Sequence, residues 1–78
     1  MKSLQIESYS PETRAAYSEL QVCRSAAGWF VGSTYQDPRD PSSLPQPGTR
    51  DTCYFATDAD AAFALTAVEL MYSEVLRQ

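Results

Sequence analysis

Seventy-eight residues make one small domain, which buries only about 60–65 % of the surface its unfolded chain exposes, so its core is thin. Hydrophobic residues at 44 % and charged residues at 21 % fit a globular protein and exclude a disordered tail. The net charge of −4, with Lys2, Arg14, Arg24, Arg39, Arg50 and Arg77 scattered singly, leaves no basic patch to neutralise phosphates and argues against a nucleic-acid ligand.

Met1 to Glu7 holds no apolar stretch of signal-peptide length, and no segment reaches the ~20 apolar residues of a membrane span, so a cytoplasmic protein is expected. Leu4 and Ile6 alternate with polar residues, as a short edge strand does. Ser10-Pro11-Glu12-Thr13 is a helix start, with Ser as N-cap and Pro at the first helical position. Ala16, Leu20, Cys23 and Ala27 then recur at helical spacing up to Gly28, which predicts a helix over 11–27. A competing reading makes Leu20-Gln21-Val22-Cys23-Arg24 a strand that turns through Ser25 to Gly28 into a hairpin. The residue pattern leaves both open.

Trp29 to Tyr35 is rich in aromatic and β-branched residues and predicts a strand. Alternation sets Trp29, Val31, Ser33 and Tyr35 on one face and Phe30, Gly32 and Thr34 on the other. Residues 36–50 carry Pro38, Pro41, Pro45 and Pro47, so this stretch is expected as a surface loop that is neither helix nor central strand. Its prolines lower the entropy lost on docking, although a tolerated insertion explains them equally well. Asp51 to Ala56 is expected to form the second strand.

Thr57 and the acids Asp58 and Asp60 mark the start of a helix predicted over 58–77. Ala61, Ala64, Leu65, Val68, Tyr72, Val75 and Leu76 fall on one packing stripe. Phe63, Ala67 and Leu70 project to the opposite side, between Glu74 and Thr66, giving one helix two apolar faces. The fold class is therefore α+β: a small antiparallel sheet of two to four strands packed against a long C-terminal helix, with an N-terminal helix if the first reading holds.

The chain contains no histidine, which removes the commonest general base and the Ser/His and Cys/His nucleophile pairs. The acid pairs Asp37 with Asp40 and Asp58 with Asp60 sit at turn and cap positions, where backbone hydrogen bonding explains them. No phosphate-binding glycine loop or calcium-loop spacing occurs, so no cofactor is expected. Cys23 and Cys53 lack metal-ligand spacing, which argues against a zinc site, and read as two buried free thiols. Trp29, Phe30, Tyr35, Tyr54 and Phe55 are expected as core, since the positive charge that flanks a base-stacking platform is missing.

Two binding candidates remain. One is the strip of Phe63, Ala67 and Leu70 beside Glu74, which either packs under an N-terminal helix or is exposed for a partner. The other is the proline-rich loop, whose Asp37, Arg39, Asp40 and Arg50 would supply charged rim contacts.

The segments Gly28-Trp29-Phe30-Val31-Gly32 and Arg50-Asp51-Thr52-x-Tyr54-Phe55-Ala56-Thr57, followed by an Ala-rich helix, resemble a pattern in very small phage- and mobile-element-encoded proteins. The anti-CRISPR inhibitors belong to that type. The resemblance spans about 30 of the 78 residues and transfers no functional residue. It implies a non-enzymatic protein that occupies a surface of a host defence complex. The alternatives are a homodimeric module joined through Phe63 and Leu70, a small adaptor, and a single-strand nucleic-acid binder using the sheet aromatics.

Overall fold

The computed structural model describes every residue from Met1 to Gln78. The chain passes through a 3-10 turn (Leu4–Ile6), helix α1 (Pro11–Ala15), strands β1 (Gln21–Ser25), β2 (Gly28–Tyr35) and β3 (Gln46–Arg50), and helix α2 (Asp58–Leu76). The strands form one antiparallel sheet in the order β1-β2-β3. This is the α+β arrangement expected, in a flat body whose backbone extends 36 × 34 × 13 Å.

The N-terminal third corrects two expectations. Leu4 and Ile6 form no strand, because the Ser3 hydroxyl accepts the Gln5 N–H and starts a 3-10 turn that buries Ile6. Ser10 does cap a helix, accepting the Thr13 N–H with Pro11 at the first turn, but the helix ends at Ala15. The following backbone is committed to β2 instead: Ser18 N–H donates to Thr34 O, and Gln36 N–H donates to Ala16 O. With those groups spent, helix 11–27 cannot continue, and the hairpin reading prevails with Val22 opposite Val31 and Cys23 opposite Phe30.

The partner of β2 is also displaced. Gln46–Arg50, drawn from the proline-rich stretch, pairs with β2, and Asp51 to Ala56 forms no strand, adding the bridge between Trp29 and Phe55 and the Asp51 N–H donated to Val31 O. β3 is an edge strand, so the missing N–H of Pro47 is tolerated where the register shifts between Ser33 and Thr34. Downstream, Thr52 supplies a side chain in place of the ladder, its hydroxyl accepting the Val31 N–H at 3.0 Å. The unpaired stretch thus shrinks to residues 36–45. Gly32 is required at this crossing, because a Cβ there would lie 2.1 Å from Thr49 O and 2.9 Å from the Phe30 ring.

Helix α2 starts where Thr57 accepts the Asp60 N–H, with Asp58 and Asp60 at the positive end of the helix dipole. It lies over β2 and β1, and Val68 closes a core with Leu20 and Val31, flanked by Met1, Ala64, Leu65 and Tyr72. Ala61 is fully buried. Val75 and Leu76, expected on the packing stripe, are about half exposed, because the last turn of α2 leaves the shelter of the core. On the sheet's other face Phe30 is buried beneath Tyr54, ring edge to ring face at 5.5 Å.

One polar cluster fastens these layers. Asp51 accepts hydrogen bonds from Tyr72 of α2 (2.7 Å), from Thr49 of β3 (2.7 Å) and from Ser3 of the N-terminal segment. Ser33 and Thr49 share a further hydroxyl contact at 2.8 Å. No buried side-chain nitrogen or oxygen lacks a partner, as a stable polar core requires.

Candidate protein-binding surface

Helix α2 carries apolar residues on two sides, and an apolar side of a helix calls for a cover. Here only one side is covered. Phe63 is 81 % exposed and Leu70 67 % exposed, on the side of the helix turned away from Ala61 and Val68. Ala67 and Glu74 lie beside them, also exposed. Met71, 57 % exposed, widens the strip. Because α1 has five residues and sits elsewhere in the chain's path, the alternative of a strip roofed by an N-terminal helix does not hold.

The loop candidate divides. Asp37, Arg39 and Asp40 stay together in a turn that satisfies itself: Asp37 accepts the Arg39 N–H and pairs with its guanidinium at 3.6 Å. Asp40 accepts from the Ser42 hydroxyl, and the Gln36 amide holds the carbonyls of Asp40 and Ser43. Arg39 remains 91 % exposed in its side chain, so its ion pair is a weak surface contact. Leu44, two residues before β3, is 84 % exposed.

Arg50 does not join that rim. It stands at the other end of β3, opposite Gly32, with its guanidinium 4.8 Å above the Tyr54 ring and bonded to Thr52 O. There it borders an open cleft of about 290 Å³ lined by Phe30, Pro47, Thr49 and Tyr54.

The remaining aromatics pack on one another. Tyr17 stacks between Tyr9 and Tyr35, at 5.9 and 5.1 Å, and burial, with the neighbouring Tyr9 and Tyr35, raises its pKa. Arg24 covers Trp29 at 5.0 Å. Neither arrangement presents a row of free ring faces.

Both cysteines are free, but the expectation that both are buried is corrected. Cys23 is partly covered on edge strand β1, and Cys53 is exposed because its segment forms no strand. Burial pushes the Cys23 thiol up, away from the thiolate form that attacks carbon or disulfides. No three Cys, Asp or Glu side chains gather into a set that would hold a metal ion. No helix is long and apolar enough to cross a membrane.

No family model matches this chain, and no curated protein or solved structure matches it.

Proposed function

We propose that the protein acts by contact, presenting the outer strip of α2 to a protein partner. The observation that carries this reading is the exposure of Phe63 and Leu70 on a helix already anchored through Ala61 and Val68. Full burial of a Phe or Leu side chain contributes about 1.5–3 kcal/mol, and natural interfaces concentrate such anchors inside a polar rim. Glu74 and Thr66 provide that rim here. The absence of histidine from the sequence supports a role without acid–base chemistry.

In its most concrete form, the reading is a phage- or mobile-element inhibitor that occupies a surface of a bacterial defence complex. That form rests on the resemblance carried by residues 28–32 and 50–57. The test is phage plating on a host with an active CRISPR defence. The wild-type protein is expected to raise plating efficiency, and a Phe63→Asp, Leu70→Asp variant is not. Unchanged plating with well-expressed wild-type protein contradicts the inhibitor form.

The same exposed second apolar side favours one second reading, a homodimer in which two α2 strips meet across a two-fold axis. A monomeric mass by light scattering at high concentration removes it.

A further inference from the structure

The two edges of the sheet are finished differently. β3 carries Pro47 and a register shift against β2, devices that blunt an edge against pairing with another chain. β1 has neither: Gln21-Val22-Cys23-Arg24-Ser25 matches β2 residue for residue, from Gln21 opposite Gly32 to Ser25 opposite Gly28.

The hydrogen-bond parity of β1 follows from its neighbour. Trp29 and Val31 spend their backbone groups on Phe55, Asp51 and Thr52, on the far side of β2. Bonding toward β1 therefore falls to Phe30 and Gly32, and in β1 to their partners Cys23 and Gln21. The N–H and C=O of Val22 and Arg24 point off the sheet, and neither residue makes a backbone bond outside the ladder. One residue earlier in this parity, Leu20 is closed, its N–H donating to Met1 O at 2.7 Å. The open edge is thus short and bounded.

We propose that β1 pairs with β1 of a second copy, antiparallel about a two-fold axis at Cys23, to make a continuous six-stranded sheet. Three symmetric registers are conceivable. Centring on Val22 would set Arg24 against Leu20, which Met1 already occupies. Centring on Arg24 would set two guanidinium groups directly opposite, which is unfavourable. Centring on Cys23 pairs Val22 with Arg24 on both sides of the axis and satisfies all four outward backbone groups of each copy. Five residues of edge bury less than the ~1,200 Å² of a standard stable complex, so the pairing is weak and concentration-dependent. Its consequence is geometric. The axis stands perpendicular to the sheet, so both copies of α2 lie on one face and offer two Phe63 and Leu70 strips side by side, which raises avidity for a partner. The pairing itself does not depend on what α2 binds.

In this register Cys23 faces its copy as a non-hydrogen-bonded pair, with Cα atoms about 4.5 Å apart, inside the range a disulfide spans. Oxidation by diamide of two single-cysteine proteins, Cys53→Ser and Cys23→Ser, tests it. The Cys53→Ser protein, which keeps Cys23, is expected to form a covalent dimer faster, although Cys53 is the more exposed thiol. Adding Val22→Pro deletes an outward N–H in each copy and should lower that dimer's yield about tenfold, with circular dichroism confirming the fold. Phe63→Asp should leave the yield unchanged, which separates this interface from the α2 strip. Equal or slower crosslinking through Cys23 than through Cys53 overturns the proposal, as does a yield unaffected by Val22→Pro in folded protein.

Discussion

Tyr72 donates its phenolic hydrogen to Asp51 at 2.7 Å, and this bond joins the long helix to the segment that follows β3. Asp51 also accepts from Ser3 and Thr49, so one carboxylate fixes the N-terminal segment, the sheet and α2 at once. Replacing Asp51 with Ala leaves three hydroxyls without their acceptor. The expected cost is about 3 kcal/mol, against about 1–2 kcal/mol for Tyr72→Phe, which removes a single charge-assisted bond. Urea unfolding midpoints measure both, and equal losses would show that Ser3 and Thr49 contribute nothing.

The same bond makes stability sensitive to alkali. Burial, then the Asp51 carboxylate, push the Tyr72 pKa up from 10.0 to about 12. A group whose folded pKa is raised contributes stability that is complete below its unfolded pKa and disappears as pH rises through the folded one. Thermal midpoints should therefore fall between pH 10 and about 12, with a shallower decline in Tyr72→Phe. Identical slopes in the two proteins would remove Tyr72 as the cause.

Gly32 is a third point of fragility. Any side chain there meets the Thr49 carbonyl and the Phe30 ring, and the obstructing carbonyl belongs to β3, so it cannot rotate away. Gly32→Ala is expected to cost about 3 kcal/mol or more, as overpacking against backbone does. A fully folded variant with unchanged urea midpoint would contradict the close approach of the Thr49 carbonyl to Gly32.

Much of the framework was readable from local rules. Thr57 with Asp60, and the spacing of Ala61, Ala64, Leu65 and Val68, define α2 because capping and helical periodicity are local properties. The strand at β2 follows from its β-branched and aromatic run. Local rules fail where distant partners decide. Ser10 and Pro11 start a helix that Thr34 and Gln36 terminate by claiming the backbone of residues 16 and 18. Pro47 reads as loop until its place on a sheet edge is known, and Asp51 reads as strand although its role is that of an acceptor for three hydroxyls. On the outer side of α2, the helical wheel sets Phe63, Ala67 and Leu70 together beside Glu74, and the structure leaves all four exposed. Arg50 is close to Asp37, Arg39 and Asp40 in sequence, but the length of β3 separates it from them.

The outer strip of α2 should matter little to the isolated fold. Phe63→Asp and Leu70→Asp replace side chains that touch mostly solvent, so each should change stability by no more than about 0.5 kcal/mol. Val68→Ala, on the buried side of the same helix, should cost about 1–3 kcal/mol. A thermal melt of the three variants checks the contrast, and large destabilisation by Phe63→Asp would assign the strip to the core.

Site-specific photocrosslinking in cells tests the binding role of this strip most directly. Benzoylphenylalanine replaces Phe63 in one protein and Arg39 in another, and both are irradiated in a host carrying an active defence complex. A discrete covalent adduct with a subunit of that complex is expected from position 63 and none from position 39. Adducts of equal yield from both positions, or none from position 63 in efficiently labelled protein, would contradict it.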